Sequence, residues 1–284
     1  MKHLKHLPFW IILLFPLLLQ AQKAEKIKGN HQVITRLYPV QAFKKLDAGD
    51  DLKITLKKTP DTTKIQLRAD ENLQDVLEWS VRDSILKLWL NKKIISKKKF
   101  EITLFVPQNF EGYTLHQNAQ VKTEDKLDFP VFFISLHDHA RSDIALFIKD
   151  TVGIELYDYA RLKNDLEADQ TTIKLFRNSE MKGTVFSRII NMEGKKNGEA
   201  KLEGSVKKLH LHLQNKSSFN GTKLGVTKEA GVVLSDKTEA RIYGRNARSL
   251  RMELSGSASL NIKGAFKQYL LEKFEGNTEI KHKD

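Results

Sequence analysis

Along most of the chain, apolar residues alternate with polar ones in short runs that return about every twenty positions. The clearest runs are the pairs Ile134/Leu136, Ile154/Leu156, Ile173/Leu175, Leu209/Leu211, Val232/Leu234 and Leu250/Met252. Alternation with a period of two is typical of strands that bury one face. A small residue follows most runs, in the series Ala119, Ala140, Ala160, Ser179, Ala200, Ser217 or Ser218, Ala240, Ala258 and Thr278. Units of this length cannot bury an apolar face alone, so the repeat predicts stacked coils.

The predicted fold is all-β, a right-handed parallel β-helix or β-solenoid with coils of about 20 residues. The coils are expected over residues 111–284. Residues 38–110 precede them as a strand-rich region, with alternating runs at Leu52–Leu56, Ile65–Leu67, Leu86–Leu90 and Ile102–Val106. No linker separates the two regions, which predicts a single domain over residues 38–284. The polar, lysine-rich residues 22–37 are interpreted as a linker that leads into it.

Residues 1–21 have the order of a secretory signal peptide. Lys2 and Lys5 are followed by an apolar run from Leu7 to Leu19 and by the small residue Ala21. The run contains Pro16 and is shorter than the roughly 20 residues that span a bilayer. The sequence therefore predicts cleavage near Ala21, export, and no transmembrane segment after the leader is removed. A retained anchor is the alternative.

The overall charge favours anionic partners. The formal net charge is +13, and loss of Lys2 and Lys5 with the leader would leave the chain strongly basic. Such a chain attracts acidic glycans, phosphorylated lipopolysaccharide or anionic lipids, whereas predicted export excludes nucleic acid as a partner. The alternative is that the lysines keep a β-rich protein soluble and protect its strand edges. The chain has no cysteine, which excludes disulfides, thiolate zinc sites and an acylated lipoprotein terminus.

Rings recur three positions before the small residue. Four successive copies carry them, at His116, His137, Tyr157 and Phe176. Because alternation points Leu136, Leu156 and Leu175 inward, the rings should face outward and stack into a ladder. An exposed ladder suggests an interaction surface, and we predict glycan binding there. Cover by another segment, by another protein or by a second copy of the chain is the alternative.

Cations recur just after the small residue, at Arg141, Arg161, Lys201 and Arg241. In stacked coils they would form a broken column, interrupted by Glu180 and Glu279, that could bind an acidic surface polymer. A solvated ladder partly paired with carboxylates is the alternative.

Catalytic motifs are absent from the sequence. There is no Gly-x-Ser-x-Gly, no phosphate loop and no His-Glu-x-x-His. The one enzyme-like set is Asp138 and Asp158 near Arg141 and Arg161, which would suit a polysaccharide lyase, although aspartates also form turns. His137-x-His139 and His210-x-His212 offer too few ligands to predict a metal. We predict no catalytic residue, no metal and no cofactor.

The spaced pattern resembles a known family. Phe43-x-x-Leu46, the runs between Leu52 and Pro107, and the corner Ser255-Gly256-Ser257-Ala258 are similar to the GIN-type head domain of autotransporter adhesins. The resemblance covers Phe43–Ile280, but the Gly-Ser-Gly corners are replaced at 137–140, 157–160 and 275–278. It implies an exported β-solenoid without an established enzymatic activity.

These observations predict an exported, non-enzymatic, adhesin-like binding or structural module in the cell envelope of a Gram-negative bacterium, in the periplasm or at the cell surface. A polysaccharide-acting enzyme and a self-associating scaffold are the alternatives.

Overall fold

The protein is described by a computed structural model that covers residues 25–283. The predicted signal peptide lies outside the described residues. Within residues 25–283, no helix has the length and apolar character needed to cross a membrane.

Short strands form the N-terminal part of the described chain, residues 26–136. They are β1 (Lys26–Lys28), β2 (Val33–Pro39), β3 (Lys45–Ala48), β4 (Lys53–Lys58), β5 (Lys64–Asp70), β6 (Leu77–Arg82), β7 (Ile85–Leu90), β8 (Lys93–Ser96) and β9 (Phe100–Val106), then β10 (Gly112–Leu115), β11 (Gln120–Thr123), β12 (Leu127–Phe129) and β13 (Phe132–Leu136). A 3₁₀ helix, Glu71–Val76, lies between β5 and β6.

Long strands form the rest of the molecule, each following most of one coil. They are β14 (Arg141–Leu156), β15 (Arg161–Phe176), β16 (Glu180–Lys195), β17 (Glu199–Leu213), β18 (Ser218–Leu234), β19 (Glu239–Leu254), β20 (Ser259–Phe274) and the short β21 (Glu279–Lys283). Every consecutive pair from β13 to β21 is parallel. The predicted β-solenoid with coils of about 20 residues is confirmed.

The solenoid begins earlier than its repeat suggests. β3 and β4 pair in parallel with β10 and β11, so they already belong to the coil stack. Antiparallel strands complete this end, because β2 pairs with β5, β5 with β9, and β6 with β7. Leu73 and Val76 of the 3₁₀ helix are buried beside them. We refer to β1–β9 other than β3 and β4, together with this helix, as the N-terminal cap.

The segment predicted as a linker contains ordered strands. β1 pairs with β8, and β2 follows β5 along its whole length. Ile27 packs against the core. The linker interpretation is therefore wrong for these residues, because single apolar side chains among lysines are enough to hold an edge strand that another strand covers.

The apolar core is one continuous cluster inside the coils, formed by residues between Val40 and Phe266. The chain enters each coil through a corner with backbone in the left-handed region, at steps of 19–21 residues. The first corner residues are Gln117, Asp138 and Asp158, and the last are Gly256 and Gly276. Aspartate, asparagine and glycine tolerate this conformation. The small residue after each corner up to Ala258 is buried, as at Ala119, Ala140 and Ala160.

Candidate functional site

Four rings stack along one corner of the solenoid, as the sequence predicts. Their centroids are 5.0 Å apart for His116 and His137, 4.7 Å for His137 and Tyr157, and 5.2 Å for Tyr157 and Phe176. The planes of His137 and Tyr157 differ by only 5°. All four side chains are half-buried and none is covered completely. We call the outward residues of 116–118, 137–139, 157–159 and 176–178 the corner ridge.

A second, shorter stack runs beside the first. His139 and Tyr159 lie two residues further along, with centroids 5.2 Å apart and planes at 11°. Tyr159 is 56% exposed, the highest exposure of any aromatic residue in the described chain. This stack is not among the sequence predictions. Its signal was present, because His139 and Tyr159 both stand directly before the small residue of successive copies, Ala140 and Ala160.

Stacking changes what the ridge can offer to a ligand. Each inner ring of the first stack has a ring on both faces, so its edge and polar atoms meet the solvent. Tyr159 differs, because it ends its stack and Asn178 follows it on the next coil. A ligand would therefore meet the exposed part of the Tyr159 ring, whereas at His137 and Tyr157 it would meet hydrogen-bonding edges.

Polar contacts hold the rings in place. Ser135 Oγ lies 2.9 Å from His137 Nε2, and the Tyr157 hydroxyl donates to Glu155 at 3.0 Å. Lys174 also contacts Glu155, at 2.9 Å. Burial, then the hydrogen bond and charge of Glu155, raise the pKa of Tyr157. Although burial opposes ionisation of Glu155, the bonds from Lys174 and Tyr157 keep its pKa below the usual value.

The imidazole of His137 favours the neutral form. Burial and the neighbouring His116 lower its pKa, against opposing effects of Asp138, Asp158 and Glu155. The ring that His137 contributes to the ladder is therefore uncharged near neutral pH.

Next to the ridge, outward side chains of successive coils form a charged face with two adjacent columns. The first column contains Gln120, Arg141, Arg161, Glu180, Glu199, Ser218 and Glu239. The second contains Lys122, Asp143, Lys163, Lys182, Lys201, Asn220 and Arg241. The prediction that Arg141, Arg161, Lys201 and Arg241 share one column is therefore wrong.

The error comes from the choice of the small residue. Glu199 pairs with Glu180, and Glu239 pairs with Ser218. The small residues directly before Glu199 and Glu239 are Gly198 and Thr238, not Ala200 and Ala240. Residues two apart in a strand share a face, so the apolar pattern fits either register.

Many charges of this face pair with each other, but among the described residues Arg141, Glu199 and Lys201 have no ion-pair partner. Lys163 lies 2.9 Å from Asp143, and Arg161 lies 3.6 Å from Glu180. Among the described residues no carboxylate lies within ion-pair distance of Arg141, which is exposed. Arg141 lies opposite Arg161 on the adjacent coil, so two guanidinium groups are neighbours and only Arg161 has an ion-pair partner, Glu180.

A groove of about 780 Å³ runs across this part of the face. Its lining includes Lys53, Glu101, Lys122, Arg141, Arg161 and Lys182. Lys201 and Arg241 line a smaller groove of about 220 Å³ further along. The larger groove adjoins the corner ridge, because Arg141 follows His139 after one buried residue.

The enzyme-like set of residues is not assembled. Asp138 and Asp158 lie at corners with φ of 59°. The Asp138 carboxylate accepts the backbone N–H of Gln117 at 2.8 Å, and Asp158 pairs with Arg177 at 2.9 Å. Both aspartates form the turn and its contacts, as their residue type favours.

Comparison with known proteins agrees with this architecture. Residues 42–266 match the family described as "Putative auto-transporter adhesin, head GIN domain". No curated protein matches the chain.

Solved structures share the fold at low sequence identity. A putative adhesin from Parabacteroides merdae has a TM-score of 0.66 and 14% identity, covering 92% of this chain and 100% of its own. A putative adhesin from Parabacteroides distasonis has a TM-score of 0.61 and 13% identity, over 91% and 100% of the two chains. A putative lipid binding protein from the same species has a TM-score of 0.62 and 12% identity, over 92% and 100%.

Proposed function

Because the chain belongs to the family of putative auto-transporter adhesin head GIN domains, we propose that it is a non-enzymatic binding module of the cell envelope that holds an acidic surface glycan. Family membership indicates an adhesin-like, exported or surface protein. The identity of the ligand class and its site are our proposal. The observation that carries it is the junction of the corner ridge with the groove at Arg141.

An acidic sugar chain suits both sides of this junction. Its carboxylate or sulfate would take the fork of the Arg141 guanidinium, which no described carboxylate occupies. One sugar face would pack on the exposed ring of Tyr159, and hydroxyl groups would bond to the edges of His139 and Tyr157. The ridge is rigid before the ligand arrives, because each ring is held by its neighbours, and this lowers the entropy that binding must overcome.

The repeat suits a polymer. Stacked coils place equivalent positions about 4.8 Å apart along the axis, so the ridge offers several polar edges in a row. A chain of sugars laid along it would make repeated weak contacts whose sum gives useful affinity.

The test is binding of the chain from Gln22 onward to neutral and acidic bacterial polysaccharides at two salt concentrations. We expect acidic polysaccharides to bind, and Arg141→Gln to weaken binding by about tenfold or more, as loss of a charge-assisted contact does. Tyr159→Ala should weaken it several-fold, and this loss should persist at high salt, where Coulomb attraction is screened.

Matched controls lie elsewhere on the solenoid. Arg245→Gln removes another exposed guanidinium. Phe186→Ala removes a ring that is 47% exposed and lies within β16. The proposal is wrong if these controls weaken binding as much as the ridge variants do. Equal binding of neutral and acidic polymers would also contradict it.

A further inference from the structure

Lysines gather on the N-terminal cap. Lys26 and Lys28 belong to β1, Lys93 belongs to β8, and Lys92, Lys97 and Lys98 flank β8. We call these six residues the lysine patch. β1 and β8 pair in parallel, which puts Lys26 directly beside Lys93 and Ile27 beside Ile94. Since Ile27 and Ile94 pack against the core, the lysines of both strands point away from the protein.

Charge in the patch is poorly balanced. Of the six lysines, only Lys92 has a carboxylate within ion-pair distance among the described residues, Glu25 at 2.9 Å. Elsewhere on the surface, lysines commonly pair with a neighbour on the adjacent coil, as Lys208 does with Glu229 at 3.0 Å. Like charges placed side by side on neighbouring strands destabilise a sheet. A bound anionic surface would remove this repulsion.

A buried carboxylate fixes the loop that carries part of the patch. Asp70 is fully buried and accepts backbone N–H groups from Lys98 at 3.1 Å, Lys99 at 3.0 Å and His31 at 3.1 Å. Burial alone would raise its pKa, but these donors lower it below the usual value. At Gly29 a Cβ would collide with this carboxylate, so only glycine lets β1 approach. Asp70 therefore holds the backbone of the loop at Lys98 and Lys99.

An apolar side chain lies among the cations. Ile95 follows Ile94 in β8 and is 53% exposed. Burial and the nearby Lys53 lower the pKa of Lys97, against the opposing charge of Asp51. Basic side chains around an exposed apolar residue are typical of surfaces that bind the headgroup region of membranes. A polysaccharide would use the charges but would offer no apolar environment to Ile95.

The position of the patch in the chain points to the same partner. β1 begins two residues after Ala24, and the apolar run Leu7–Leu19 precedes it in the sequence. Before the leader is cleaved, a membrane that receives this run is therefore within reach of the patch. We infer that the lysine patch docks the N-terminal cap on an anionic phospholipid surface, with Ile95 entering the headgroup layer.

The test is co-sedimentation of the chain from Gln22 onward, which contains the whole core, with phosphatidylcholine vesicles that contain or lack phosphatidylglycerol. We expect binding only to the vesicles with phosphatidylglycerol, weaker at high salt. Replacing Lys92, Lys93, Lys97 and Lys98 by Gln should reduce the bound fraction by at least about tenfold, because each lysine near such a surface contributes appreciably. Ile95→Ser should reduce binding with the charges intact.

The control removes the same number of charges from exposed lysines elsewhere, with Lys149, Lys207, Lys228 and Lys237 replaced by Gln. Equal loss in the two quadruple variants would overturn the inference, as would equal binding to both kinds of vesicle. Patch-dependent binding to dextran sulfate without binding to vesicles would also overturn it, since a soluble polyanion would then be the ligand. Tyr159→Ala should bind vesicles normally, which separates this inference from the glycan proposal.

Discussion

At the scale of single residues, the buried position after each corner shows how strongly one hydroxyl group can matter. Ser179 and Ser217 occupy this position on two coils and both are fully buried. The Ser179 hydroxyl has no hydrogen-bond partner in the structure. The Ser217 hydroxyl lies 2.9 Å from the carbonyl oxygen of Gly194 and accepts the N–H of Gln214 at 3.1 Å.

The same substitution should therefore have opposite effects at these two sites. Ser179→Ala removes an unsatisfied buried group and should stabilise the protein by about 0.5–1 kcal/mol, whereas Ser217→Ala leaves partners unpaired and should cost about 1–2 kcal/mol. Chemical denaturation of both variants measures the difference in unfolding free energy. Equal signs would show that the two hydroxyl groups have the same environment in solution.

Residue identity alone did not locate these positions. In Ala200-Lys201-Leu202 the sequence offers an inward alanine, yet Gly198 occupies the corner position. Inward residues recur every second position, and coil lengths vary between 19 and 21 residues, so only the pairing between strands selects the register. The outward rings were predicted correctly because four successive copies are spaced regularly.

At the scale of structural elements, the ring ladder makes the stability of the folded protein depend on pH. His137 has a lowered pKa, so the folded state binds fewer protons than the unfolded chain as the pH falls through the usual histidine range. Stability should therefore decrease below about pH 6.5 and continue to decrease until the folded-state imidazole is protonated. A charged ring between His116 and Tyr157 would also disturb the stack.

We expect His137→Gln to reduce this dependence on pH. The measurement is the thermal unfolding temperature of the wild type and of the variant, each near pH 8 and near pH 5, where the imidazole of the unfolded chain is neutral and protonated respectively. The wild type should lose more stability than the variant between the two conditions. A parallel loss in both proteins would place the responsible proton elsewhere.

At the scale of the whole molecule, the two ends of the described solenoid differ. Antiparallel strands and a 3₁₀ helix complete the N-terminal end, whereas the inward positions of the last coil, such as Leu271 and Phe274, are about half exposed. β21 covers only the first five residues of β20. Stability in a solenoid depends on contacts with adjacent coils.

Hydrogen exchange should therefore be uneven. Amides of β20 beyond residue 264 and of β21 should exchange at least about tenfold faster than those of β15–β17, which have neighbours on both sides. Amide exchange followed by mass spectrometry on the 284-residue chain tests this. Uniform protection along the solenoid would mean that the last coil is covered in solution, for example by a second copy.

The sequence was enough to predict the architecture, but not the details of the N-terminal end. Twenty-residue periodicity identifies coils because equivalent residues repeat many times. β2 and β6 are not copies of the repeat. Their antiparallel partners, β5 and β7, are selected by contacts that leave no repeated pattern in the sequence. The groove at Arg141 could not be predicted for the same reason, because its shape depends on which strands lie side by side.

The order of the coils along the chain has a consequence for how the protein is made. Each coil contacts mainly its neighbours about twenty residues away, and the residues of the cap leave the ribosome or a translocation pore before those of the coils from β14 onward. A completed cap gives the next coil a finished surface on which to fold, and that coil does the same for its successor. Folding can therefore keep pace with emergence, and only one growing strand edge is open to aggregation at any moment, however many coils remain to be added.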